Sequence, residues 1–274
     1  MGASDGPDLP GFRWLTLPGG EVLTRPEAEG WIRQVLEAGD TLHEAAARDR
    51  RAVAMEGRGT VWIIPSKLSG TWRTEPEKAV TTAAHWAVRH YMRGGRVVSR
   101  LLGDRYLRVG DARPFQEALV SEAVRARGVP ATRVMAAARY SAGPFYRADL
   151  VTEFVPGSSD LVEALFDERR RGMGGAVERR DALRAAGELV RRLGQAGVTH
   201  LDLHAGNVLL QWEGAAPSPR LVDLDRCRVE RAEGGGDRQA MHARLRRSLR
   251  KWEKATDLTL TEAEWEVLEE AALG

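Results

Sequence analysis

The stretch His200-Leu201-Asp202-Leu203-His204-Ala205-Gly206-Asn207-Val208-Leu209-Leu210 constrains this chain more than any other. It follows a helix-like segment, carries an acid and an amide, and runs straight into an apolar strand. A second short strand, Leu221-Val222-Asp223-Leu224-Asp225, brings a further acidic pair. Asp202, Asn207 and Asp223, in that order, are the side chains that a phosphoryl-transfer site requires. One carboxylate accepts the proton of an attacking hydroxyl, while an amide oxygen and a second carboxylate hold magnesium against the nucleotide phosphates. Magnesium prefers hard oxygen ligands and keeps several waters, so two protein ligands suffice. Strands over 208–212 and 220–224, joined by a Pro/Gly-rich turn, are expected to bring Asp223 close to Asn207.

A chain of 274 residues can form one large domain or two lobes, and can bury a sizeable core. A net charge of +2 gives no reason to expect a nucleic-acid partner. No apolar run approaches the roughly 18 residues of a membrane-spanning helix, and the opening MGASDGPDLPG lacks the features of a signal peptide. A single cysteine, Cys227, excludes an internal disulfide framework and any multi-cysteine zinc site. These features point to the cytoplasm and leave a membrane surface open as a partner.

Residues 1 to about 25 are rich in Gly, Pro and Asp and read as a loose lead-in. Segment 27–49 reads as helix, with Trp31, Val35, Leu42 and Ala45 as its apolar stripe. Two short strands then flank Gly57-Arg58-Gly59. Without Cβ atoms, Gly57 and Gly59 could let backbone N–H groups approach a phosphate; on local sequence alone an ordinary hairpin turn is the simpler reading. Residues 65–84 read as an irregular polar connection. The strand 86–91 presents Arg89, and a strand of this type, Val-Ala-Ile-Lys in its usual form, supplies a cation to the α/β phosphates. The competing reading of Arg89 is a solvated strand charge. The spacing predicts a helix over 114–127, whose Glu117 can meet Arg89, with Glu122 as the competing partner. The strand 146–155 closes on Pro156-Gly157, where a chain can pass between lobes, and backbone groups near Glu153 and Val155 would there face an adenine edge. A helix over 181–195 precedes the opening motif, with Leu183, Gly187 and Val190 on one face. A cationic helix over 238–254 carries Met241, Leu245, Leu249 and Trp252 at helical spacing. It either packs through that stripe or offers its charges to anionic lipid. Thr261-x-x-Glu264 reads as a capping box.

Several of these stretches together resemble one family. They are Glu56-Gly57-Arg58-Gly59, Val88-Arg89-His90-Tyr91 with Arg93-Gly94-Gly95, and Asp104-Arg105-Tyr106-Leu107. Further along come Tyr146 to Glu153 with Pro156-Gly157, His200 to Asn207, and Val222 to Arg226. Over about residues 50 to 255 the chain is similar to the lipopolysaccharide kinases that act on 3-deoxy-D-manno-octulosonic acid (Kdo). The Arg-His-Tyr and Arg-Ala-Asp-Leu stretches are the most family-specific. The resemblance implies an α+β, two-lobed protein-kinase-like fold, with a small antiparallel β lobe carrying one main helix and a larger, mostly helical lobe. The expected division is an N-terminal extension over 1–50, a small lobe over 51–155 and a large lobe over 156–274. The implied reaction is ATP- and Mg2+-dependent phosphorylation of the 4-hydroxyl of Kdo on a lipid A precursor, at the cytoplasmic face of the inner membrane. By motif position, Asp202 is the implied base, Asn207 and Asp223 the metal ligands, and Arg89 the phosphate cation. Gly57, Arg58, Gly59, Glu117, Glu153 and Val155 complete the implied nucleotide site. Leu201 stands where His-Arg-Asp has arginine, which fits a kinase not governed by activation-loop phosphorylation.

Only about fifty residues follow Asp223, and they hold no Ala-Pro-Glu, the element with which a protein kinase docks a peptide. A glycolipid or small-molecule acceptor follows, with a core heptose kinase as the nearest rival. A metallohydrolase using His200, Asp202 and His204 lacks a second ligand cluster, and His200 reads better as a structural hydrogen-bonder. A silent kinase-like scaffold has no need of Asp202, Asn207 and Asp223 together.

Overall fold

The computed structural model describes residues 7–55, 59–66, 84–92, 104–107, 112–167, 175–212, 216–231 and 234–274. Gly57, Arg58 and nearly all of the 65–84 connection lie outside the described residues. The chain divides into two compact units, one of residues 1–119 and 133–154, the other of 120–132 and 155–274.

The first unit is built on one antiparallel sheet. A hairpin of β1 (Arg13–Leu17) and β2 (Gly20–Thr24) opens it, where composition had suggested a loose lead-in. Leu15, Val22 and Leu23 are buried, and the two-residue turn Pro18-Gly19 reverses the chain, so strand alternation outweighs the Gly/Pro content. The segment 27–49 is two helices, α1 (Pro26–Glu37) and α2 (Leu42–Arg48). Gly39, at φ 83°, ends the first, and Thr41 opens the second with a capping box to Glu44. The strands β3 (Val53–Met55), β4 (Val61–Pro65), β5 (His85–His90) and the short β6 (Tyr106–Leu107) follow. After helix α3 (Arg113–Ala126) come β7 (Val134–Ala142) and β8 (Phe145–Glu153). The sheet order is β1-β2-β7-β8-β5-β4-β3, with β6 also paired to β8. Side chains alternate across it. Trp86, Val88, Ala136, Ala138, Tyr140 and Val151 join Ile32, Leu36 and Leu42 from α1 and α2 on one face. Tyr91, Ala137, Ala148 and Leu150 join Phe115 and Ala118 of α3 on the other. A fully buried leucine or isoleucine contributes about 1.5–3 kcal/mol, so two such layers fix the strand register firmly.

The second unit packs around helix α5 (Gly175–Gln195), which follows β9 (Ser158–Asp160) and α4 (Leu161–Phe166). Leu183, Leu189, Val190 and Leu193 are fully buried on its core face. Gly187 is where α7 (Glu262–Leu273) crosses: a Cβ there would stand 2.6 Å from that of Ala271. The small strands β10 (Val198–His200), β11 (Val208–Trp212), β12 (Pro217–Leu221) and β13 (Cys227–Val229) lie between α5 and α6 (Arg238–Thr256) in the chain. On α6, Met241, Leu245 and Leu249 are buried as their spacing predicted, but Trp252 is 39% exposed and does not belong to that stripe. Thr261 and Glu264 form the predicted capping box at the start of α7. Among the described residues no helix is long and apolar enough to cross a membrane.

Candidate active site

Two loops carry the acidic residues singled out by the sequence. Residues 201–207 join β10 to β11, and residues 222–226 join β12 to β13. Because β11 pairs with β12 and β10 pairs with β13, the loops are clamped against each other at both ends. The register puts Val208 opposite Leu221 and His200 opposite Cys227. Backbone bonds close the clamp: Val222 N donates to Asn207 O at 3.0 Å, and Leu201 N to Arg226 O at 3.0 Å. Strand pairing therefore brings the loop that carries Asp202 and Asn207 alongside the loop that carries Asp223. Pairing begins earlier than the sequence suggested, at Pro217, because β12 is the edge of its three-stranded sheet, where a proline's missing N–H is tolerated.

His200 ties the two loops at their centre. Its Nδ1 accepts from Asp202 N at 3.1 Å, so Nε2 carries the proton and donates to Asp223 O at 3.0 Å. The side chain is 1% exposed, and burial lowers its pKa below the ordinary 6.5 against the opposing pull of Asp223. This is the structural role expected of it. Asp202 is exposed. Asn207 is buried, and its Nδ2 points at Asp202 O across 3.4 Å, which turns Oδ1 the other way. Asp223 has φ 60°, a left-handed conformation that is costly for a side chain with a Cβ and recurs at functional sites. From α6, Ser248 Oγ accepts Ala205 N at 3.1 Å and Met241 Sδ accepts His200 N at 3.3 Å, bracing the first loop from behind. Sequence reading passed over Ser248, since a lone serine on a basic helix carries no signal.

The predicted cation sits in the other unit. Arg89 Nη2 lies 2.8 Å from both carboxylate oxygens of Glu117, and that carboxylate is 2% exposed. Glu122 instead lies 3.9 Å from Arg125. Of the glycine turn, Gly59 is described and exposed, while Gly57 and Arg58 are outside the described residues. Glu153 is tied to Arg133: its N–H donates to Arg133 O at 2.8 Å and its Oε1 accepts Arg133 N at 2.9 Å. The carbonyl of Val155 accepts from Ser158 Oγ at 2.7 Å.

An unpredicted buried network lies on the opposite face of β5. Asp149, fully buried, accepts from His43 N at 2.9 Å and Tyr140 Oη at 2.8 Å, and lies 2.6 Å from His90 Nδ1. His90 Nε2 is 3.0 Å from Asp104 Oδ2. An imidazole between two carboxylates satisfies both only when doubly protonated. Burial pulls the His90 pKa down, but the bonds and charges of Asp149 and Asp104 outweigh it and leave the value raised above 6.5.

Comparison with known proteins identifies the family. The model of the lipopolysaccharide kinase (Kdo/WaaP) family matches residues 66–271. The chain belongs to that family. It is 30% identical over 197 residues to the 3-deoxy-D-manno-octulosonic acid kinase of Vibrio cholerae serotype O1, covering 71% of this chain and 72% of the relative. The corresponding kinase of Actinobacillus succinogenes is 30% identical over 220 residues, 78% of this chain and 80% of that one. A solved structure described as WaaP in complex with acyl carrier protein superposes with a TM-score of 0.51 at 16% identity. It covers 95% of this chain and 88% of that one, and so supports the fold. As a family member the protein is a phosphotransferase of lipopolysaccharide biosynthesis with a kinase-like α+β fold.

Proposed function

We propose that this family member transfers the γ-phosphoryl group of ATP to the 4-hydroxyl of a Kdo sugar on a lipid A precursor. The observation that carries the reading is the double strand clamp that holds Asp202, Asn207 and Asp223 on facing loops. The exposed Asp202 carboxylate takes the proton of the sugar hydroxyl as the oxygen attacks phosphorus. The donor set, one amide oxygen and one carboxylate, fits magnesium and suits no soft metal. Among the described residues no cluster of three or more His, Cys, Asp or Glu offers a competing metal centre. Asn207 and Asp223 would hold the ion, which when bound neutralises charge on the transferring phosphates. Arg89, oriented by Glu117, binds nucleotide phosphate, and backbone groups near Glu153 and Val155, other than those bonded to Arg133 and Ser158, read the adenine. Most of the acceleration then comes from positioning and charge neutralisation.

The test is incubation of the purified protein with labelled ATP, magnesium and three acceptors: Kdo-lipid A precursor, heptosylated core and a generic protein. Label on the Kdo acceptor, lost in Asp202→Ala, is the expected result. Label on the heptosylated core alone would reassign the protein to heptose phosphorylation, and no transfer to any acceptor would remove the reading.

A further inference from the structure

Arg89 and Tyr91 stand two positions apart on β5 and its continuation, so strand alternation sends both toward α3 and sends His90 to the opposite face. There they meet one carboxylate. Glu117 faces Arg89 Nη2 with both oxygens, and Oε2 also accepts the Tyr91 phenol in a short hydrogen bond. The Arg89 guanidinium carbon lies 5.0 Å from the centre of the Tyr91 ring. The three side chains close a triangle of cation to carboxylate, phenol to carboxylate, and ring to cation. Tyr91 is itself held: it is 6% exposed, its ring meets that of Tyr106 edge-on at 6.5 Å, and Tyr106 stacks on Tyr146 at 5.5 Å.

We infer that Tyr91 is a positioning residue for the phosphate-binding cation, required because that cation is arginine. A lysine ammonium is a point charge, and one carboxylate suffices to aim it. A guanidinium is a planar fork, so its direction and its plane must both be set before it can meet phosphate oxygens. Glu117 sets the direction. The Tyr91 hydroxyl fixes the rotation of the Glu117 carboxylate and, through its two oxygens, the plane in which the guanidinium lies, while the Tyr91 ring backs that plane with a cation–π contact. The same hydroxyl gives a nearly fully buried carboxylate a second donor, which offsets part of its desolvation.

This inference rests on the reading of Arg89 as a nucleotide-phosphate ligand, and a double-mutant cycle separates the two. Mg-ATP affinity is measured by calorimetry, well below each variant's thermal midpoint, for wild type, Arg89→Ala, Tyr91→Phe, Arg89→Lys and the Arg89→Lys/Tyr91→Phe pair. Tyr91→Phe keeps the ring and its packing and removes one oxygen. Since a hydrogen bond to a charged group is involved, Mg-ATP binding should weaken about tenfold, with the KM for ATP rising in step and that for the acceptor unchanged. With lysine at position 89 the same change should cost about twofold or less. Loss of the same size in both backgrounds would show a merely structural tyrosine and overturn the inference. So would wild-type affinity in Tyr91→Phe. If Arg89→Ala binds Mg-ATP like wild type, the reading of Arg89 fails, and the positioning role falls with it.

Discussion

Replacing Asp149 with alanine tests whether the buried network on β5 holds the first unit together. The carboxylate is fully buried and gathers His43 N from α2, the Tyr140 phenol from β7 and the His90 imidazole from β5, at 2.9, 2.8 and 2.6 Å. Its removal strands the buried Tyr140 phenol and two partly buried donors, His43 N and His90 Nδ1, and leaves His90 facing Asp104 alone. Bonds to a charged group are worth about 1.5–3 kcal/mol each, but a shared network does not sum, and breaking a buried pair typically costs about 3–5 kcal/mol. A loss of about 4 kcal/mol is expected, a large part of the roughly 5–15 kcal/mol total of a typical domain. Divided by a urea slope of about 2 kcal/mol per molar, it lowers the unfolding midpoint by about 2 M. Tryptophan fluorescence reports the transition, because Trp31 and Trp86 lie 5.8 Å apart against the same core. Asp149→Asn should fall between wild type and alanine, since one amide oxygen can still accept. A midpoint shift under about 0.5 M for Asp149→Ala, less than one ordinary hydrogen bond would give, would refute the network as a stabilising element.

Four further outcomes follow from the same geometry. Asp202→Ala should lose turnover by a factor of about 100 to 10,000, the span of general-base catalysis, while calorimetry shows Mg-ATP binding retained; near-normal activity on the labelled acceptor would remove Asp202 as the base. Asp223→Ala should instead weaken Mg-ATP itself, seen as a rise in the magnesium needed for half-maximal turnover. His90 has a folded pKa raised above 6.5, so its stabilising charge is fully present below the unfolded value and is lost as pH rises through the folded one. The urea midpoint of wild type should thus decline above neutrality more steeply than that of His90→Gln, and parallel profiles would contradict the doubly protonated imidazole. On α6, Arg247, Lys251 and Lys254 are exposed along one face. At about 1 kcal/mol per cation, neutralising all three should weaken partition onto anionic vesicles about a hundredfold in low salt; unchanged sedimentation would clear this helix of membrane contact.

The candidate site was legible in the sequence because short-range rules fix it. Asp202 and Asn207 sit in one loop, the strand after them is apolar, and the next strand in the chain pairs with it and leads straight into Asp223. Glu117 was legible for a similar reason: the α3 helix begins at Arg113 and places that carboxylate on its buried side, opposite a strand arginine. The hairpin 13–24 and the edge strand starting at Pro217 were obscured because proline and glycine counts describe turn chemistry, and whether a strand lies at an edge depends on partners far away. Asp149 was beyond reach for a different reason. It is 59 residues from His90, and nothing local tells a buried aspartate from a solvated one. Yet the strand register joins the two stretches that marked the family most sharply. Arg89 stands across from Leu150 and His90 across from Asp149. Arg-His-Tyr and Arg-Ala-Asp-Leu are therefore one piece of structure met twice in the sequence. One face of the strand pair aims a cation at Glu117, and the other locks the sheet to α2 through Asp149. A substitution on the Asp149 face should loosen the strand that carries Arg89, lowering stability and nucleotide affinity together, whereas one on the Tyr91 face should change affinity first.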